Sequence, residues 1–212
     1  MRKFLVIGCG GSGGTTLRLM MDQLQADLRT MGISSLPDAW QFVHVDVPVP
    51  PDTGPAPIGT IRDLGGTYLS FSAPGNSYQN TAQNLEAMLG GRADSNFAPL
   101  LGWAPKDSAA ANIIPITHGA GQYRSVGRML TLPRLRKLVS TLEDAQARMS
   151  APDAWGDVPI HMRRDHGAVI PIIIGSMAGG SEHRCSSTSR AWWGHFRALT
   201  LPKLVQSFTQ RP

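Results

Sequence analysis

Phe4-Leu5-Val6-Ile7-Gly8-Cys9-Gly10-Gly11-Ser12-Gly13-Gly14-Thr15 is the stretch on which the reading of the whole chain turns. Its four leading apolar residues predict a short buried strand, and the seven residues from Gly8 to Gly14 include five glycines. Such a run turns tightly through positive φ angles and brings backbone N–H groups close to an anion. A helix predicted to begin at Thr15 would aim its free amides and partial positive charge at the same point, which suits a phosphate. Gly8-x-Gly10-x-x-Gly13 also matches the dinucleotide-binding fingerprint between a strand and a helix, a weak signal when it stands alone.

Working outward, Leu17, Met20, Met21, Leu24 and Leu28 recur at helical spacing and predict an amphipathic helix, ended by Gly32. Gln41-Phe42-Val43-His44-Val45-Asp46 reads as a second buried strand, stopped by Pro48, Pro50 and Pro51. The two strands and the helix make a parallel, right-handed unit. In a dinucleotide enzyme Asp46 would hold a ribose hydroxyl, although it comes later than the usual distance of about 20 residues.

Residues 47–75, rich in Pro, Gly, Ser and Thr, predict a long surface connection, and Asn80 to Leu89 a short helix closed by Gly90-Gly91. Ile113-Ile114-Pro115-Ile116-Thr117 is a third candidate strand, interrupted by proline, and leads into His118-Gly119-Ala120-Gly121. Val126, Met129, Leu130, Leu135, Leu138, Val139 and Leu142 outline a helix from Arg124 to Met149 that bends at Pro133. Ala168 to Ile174 is the most strand-like run and ends in Gly175-Ser176-Met177-Ala178-Gly179-Gly180-Ser181. Three apolar strands are thus each followed by a glycine-bearing turn. In a doubly wound parallel sheet such turns line up along the edge where ligands bind.

With 212 residues, 42% of them hydrophobic, the chain is long enough for one real core. No stretch approaches the roughly 18 apolar residues of a membrane span, and the first strand is too short for a secretory signal. The two cysteines, Cys9 and Cys185, give no disulfide framework and suit a reducing cytoplasm. The net charge of +5 is concentrated in residues 182–212, where five lysines and arginines face Glu182 alone. That basic tail lacks the interleaved aromatics of single-strand binders, so nucleic acid is not the expected partner. His161, His166, His183 and Cys185 have no structural zinc spacing, and no metal site is expected among them. HExxH pairs and Walker lysine loops are absent from the sequence.

The second and third turns separate the nucleotide readings. Gly8-Cys9-Gly10-Gly11-Ser12-Gly13-Gly14 resembles the first phosphate loop of the tubulin and FtsZ superfamily. Gly119-Ala120-Gly121-Gln122-Tyr123-Arg124-Ser125-Val126-Gly127-Arg128 looks like the loop and helix start that hold the terminal phosphates there. Gly175 to Ser181 is similar to the front half of the tubulin signature loop, in the form found in the bacterial tubulin-like family. The resemblance covers most of residues 1–181 and implies an α/β fold, a three-layer Rossmann-like parallel sheet of tubulin/FtsZ type, incomplete in this chain.

The resemblance further implies GTP or GDP as ligand, with Mg²⁺ as an optional companion, and head-to-tail self-association. The site residues it points to are Gly8, Cys9, Gly10, Gly11, Ser12, Gly13 and Gly14 in the first turn, Gly119, Ala120, Gly121 and Arg124 in the second, and Ala178, Gly179, Gly180 and Ser181 in the third. Asp46 joins them from the end of the second strand. The alternative is an NAD- or FAD-binding or adenylating enzyme with a Rossmann-like core.

After Ser181 the pattern breaks. The family continues with a small residue and an apolar helix, whereas this chain continues Glu182-His183-Arg184-Cys185, and a glutamate opposes a phosphate. Codons for Glu182 to Leu201, shifted by one inserted G, can spell a glycine followed by an apolar continuation, so a reading-frame change is one explanation. The expected division is a partial tubulin-like domain over residues 1–181 and a basic tail over 182–212. The catalytic carboxylate loop of the family has no counterpart, and hydrolysis is expected to be weak or absent.

Overall fold

The structure is a computed structural model that describes residues 1–54, 56–73, 77, 80–81, 83–84, 124–164 and 168–176. Seven principal elements follow in chain order: β1 (Lys3–Cys9), α1 (Gly10–Thr30), β2 (Trp40–Asp46), β3 (Thr67–Ser70), α2 (Arg124–Thr131), α3 (Leu135–Ser150) and β4 (Val169–Gly175). The strands form one sheet in the order β3-β2-β1-β4, and every neighbouring pair is parallel.

Period-two alternation sends the side chains of β1 to two different helical layers. Leu5, Ile7 and Cys9 join Val43, Val45, Leu69 and Phe71 on one face, where Val126, Met129 and Leu130 of α2 and Leu142, Ala145 and Met149 of α3 cover them. Val6 joins Phe42 and Tyr68 on the other face, under Leu17 and Met21 of α1. Both faces of the sheet are covered, as a parallel sheet requires. The fold is therefore the expected three-layer α/β arrangement. A third cluster, in which Leu28, Ile33, Ala39, Trp155 and Val158 pack, ties the end of α1 to the segment after α3.

Leu17 and Met21 are wholly buried, and each contributes roughly 1.5–3 kcal/mol by leaving water. The helix stops where Gly32 takes φ +76°, with Gly32 N donating to Arg29 O and Ile33 N to Leu28 O. This αL closure satisfies the last carbonyls of the helix. Pro133 lies in a short 3₁₀ segment, Leu132–Arg134, between α2 and α3, so the expected bend is a local tightening of the helix.

Three expectations are corrected. The glycine run is not a free turn followed by a helix at Thr15: β1 continues through Gly8 and Cys9, and α1 begins at Gly10. Within that run only Gly10 has a positive φ, +70°. Residues 47–75 are not all surface connection, because Thr67–Ser70 forms β3, pairing Val43 with Thr67 and Asp46 with Ser70. Four residues between Gly66 and a proline-bearing stretch are too few to carry a period in sequence, yet an open edge of β2 was there to pair them. Cys9, finally, is disulfide-bonded, whereas the two cysteines were expected to give no disulfide framework. Residues 80–81 and 83–84 are helical, as expected of Asn80–Leu89, while the Ile113–Thr117 strand lies outside the described residues.

Candidate functional site

In the order β3-β2-β1-β4 the chain leaves β1 toward β2 on one side and arrives at β4 on the other. That reversal puts the switch point at the carboxyl ends of β1 and β4, the position where open α/β sheets bind ligands. The two ends are level, since Cys9 pairs with Gly175. The first glycine run and the start of the third turn therefore meet, although 160-odd residues separate them in sequence.

Close packing explains most of the glycines at this junction. A Cβ on Gly8 would lie 2.7 Å from Gly13 O, and one on Gly13 would lie 2.6 Å from Ile174 O. A Cβ on Gly14 would lie 2.2 Å from His44 Cε1. These three glycines let the first turn of α1 sit directly on β1, β4 and β2. Gly11 differs, having nothing among the described residues within 4 Å of its Cβ position. It is exposed together with Ser12.

The amino end of α1 carries no side-chain cap on Cys9 and no acidic residue in its first turn. Its first turn is built of small residues and carries the partial positive charge of a helix start. Thr15 and Thr16, the next exposed residues, donate their hydroxyls to Gly11 O and Ser12 O, both at 3.0 Å. Such back-bonding keeps the hydroxyl protons turned along the helix.

Beneath the run lies a buried polar group that sequence reasoning does not single out. His44 is 1% exposed; its Nε2 is 3.0 Å from Gly10 O and 3.8 Å from Asp46 Oδ2. The ring meets Tyr68 edge-on at 5.1 Å. Burial holds the His44 pKa below its ordinary value and outweighs the pull of Asp46. Burial, with the carboxylates of Asp46 and Asp52, pushes Tyr68 well up, and its hydroxyl donates to Pro48 O. Arg18, 3% exposed, donates to Asp52 O at 3.3 Å and Thr15 Oγ1 at 3.2 Å, and so ties α1 to the segment after β2. A histidine inside Phe42-Val43-His44-Val45 and an arginine beside Leu17 were the available signals, polar residues set in apolar patterns.

The sequence-derived candidates divide as follows. Gly8, Cys9, Gly10, Gly11, Ser12, Gly13 and Gly14 are at the β1–α1 junction, with Cys9 in the core. Asp46 ends β2, is 6% exposed, and accepts from Val47 N through Oδ1 at 2.7 Å. Arg124 opens α2. Gly119, Ala120, Gly121, Ala178, Gly179, Gly180 and Ser181 lie outside the described residues. Among the described residues no group of three His, Cys, Asp or Glu side chains is assembled for a metal, and no helix is long and apolar enough to cross a membrane.

A parallel three-layer sheet with a glycine-built strand-to-helix junction at its switch point defines a Rossmann-like α/β protein. A family model described as tubulin-like matches residues 5–182 and reaches all four strands. The chain belongs to this tubulin-like family. Comparison with curated proteins and with solved structures finds no match.

Proposed function

We propose that the chain binds a guanine nucleotide, GTP or GDP, with its phosphates against the amino end of α1 and Mg²⁺ as an optional companion. The observation that carries this reading is the opening of α1 at the switch point, with no capping bond from the Cys9 side chain, no acid in its first turn, and exposed Gly11 and Ser12 beside it. Backbone amides at such a helix start bind anions without help from a charged side chain. Membership of a tubulin-like family supports guanine over other bases and supports head-to-tail self-association.

In this reading Gly8 to Gly14 touch the inner phosphates, Gly119, Ala120, Gly121 and Arg124 the outer ones, and Ala178 to Ser181 close the chain from the β4 side. Arg124 would bring paired guanidinium donors to phosphate oxygen. Asp46 lies near the same strand ends, buried and accepting from Val47 N; hydrolysis by this chain is expected to be weak or absent. Phosphate release by the purified chain measures this, and a steady turnover of GTP would refute it.

Thermal melting with GTP, ATP and NAD at matched concentration tests the binding itself. A ligand present at 100 times its Kd adds about 2.7 kcal/mol to stability. A shift with GTP alone is expected. A shift with NAD alone would replace this reading by a dinucleotide enzyme, and no shift with any of the three would overturn both.

A further inference from the structure

We propose that His44 is a positioning residue for the glycine run: its neutral imidazole, seated beneath the first turn of α1, holds the Gly10 carbonyl and so sets where the α1 amides point. The effect on ligand rests on the proposed nucleotide reading, whereas the effect on the backbone does not. Alternation along β2 puts Phe42 and His44 on the α1 face, where an apolar residue would satisfy packing alone. An imidazole is there instead, wholly buried, and Gly14 leaves it room, since any Cβ at 14 would collide with the ring.

The chemistry of the contact fixes the tautomer. A carbonyl oxygen only accepts, so Nε2 carries the proton that reaches Gly10 O at 3.0 Å. Nδ1 is then the lone-pair nitrogen, and among the described residues it has no hydrogen-bond partner. A second proton would create a buried cation with an unanswered donor, a costly arrangement. The held residue, Gly10, is the one that takes φ +70° as the chain passes from β1 to α1.

Four groups face the ring from the surrounding elements: Asp46 on β2, Arg18 on α1, Asp52 in the segment after β2 and Tyr68 on β3. Arg18 opposes protonation, the two aspartates favour it, and burial, the largest influence, opposes it. The ring is therefore neutral when the site is intact. Acidification would turn it from a spacer into a misplaced charge under the amides.

The test uses the full chain with His44→Leu, which keeps bulk and removes the donor, and His44→Gln, whose amide can donate in the same direction. GTP affinity is measured by titration from about pH 5.5 to 8, the range in which an imidazole switches. Hydrogen exchange is followed at residues 11–14. His44→Leu is expected to weaken GTP about tenfold and to speed exchange at these amides by a similar factor, leaving β1 and β2 protected. His44→Gln should retain affinity and lose the acid-side decline of the native chain.

Native affinity, exchange and pH profile in His44→Leu would overturn the proposal. If the native chain binds no nucleotide, the functional reading fails and exchange alone decides: unchanged protection at 11–14 overturns the positioning role, accelerated exchange upholds it. Should His44→Leu not fold, the pH profile and exchange of His44→Gln decide, and a profile identical to the native one would overturn the proposal.

Discussion

At the junction of β1 and α1, glycines of one composition do different work. Gly13 is required by backbone: its Cβ would meet Ile174 O and the Gly8 main chain, neither of which can rotate away. Gly13→Ala is expected to cost about 3 kcal/mol, at the upper end for overpacking, seen as a lower denaturant midpoint. Gly11→Ala meets nothing among the described residues within 4 Å and should be neutral or stabilising by up to about 1 kcal/mol, as for alanine in a helix. If phosphate approaches the exposed backbone at 11, the same variant should melt normally yet respond less to GTP. His44 adds a pH dependence. Its folded pKa is depressed below 6.5 by burial, so as pH falls through 6.5 the unfolded chain takes up a proton that the native chain refuses. Stability should be full above that value and decline below it, and His44→Gln should flatten the decline in urea titrations at stepped pH.

The elements show where pattern was enough. Leu17 and Met21 at helical spacing locate α1, and Leu17→Ala should cost about 2–5 kcal/mol for a fully buried side chain. Gly32 marks its end correctly because its left-handed φ of +76° is a local requirement. No atom of the described residues stands within 4 Å of a Cβ there, so Gly32→Ala should cost about 1 kcal/mol from conformation alone, measurable by denaturation. β3 is not legible in the sequence, since Thr67–Ser70 is a strand only because β2 offers it a parallel edge. Likewise the pattern puts the start of α1 at Thr15, whereas the helix opens at Gly10. Glycine has poor helix propensity, and the contacts that hold Gly10–Gly14 helical come from β2 and β4 rather than from the segment itself.

Across the molecule, the switch point depends on bringing Gly175 level with Cys9. The family match ends at residue 182, beside the change of character after Ser181, and this supports our proposal of a domain over 1–181 and a separate tail over 182–212. Resequencing the gene is expected to show one additional base after the Ser181 codon, and an intact frame with the present tail confirmed in the protein would overturn it. By itself the sequence determined the layered parallel fold, the carboxyl end of α1 and the glycine junction as the place to look, because periodicity and backbone freedom are local properties. Only the tertiary structure decided that Gly8, Gly13 and Gly14 are needed for packing, that Gly11 and Ser12 face outward, and that His44 lies under the turn. Those facts depend on which distant strand each residue meets, and that pairing leaves no trace in local pattern.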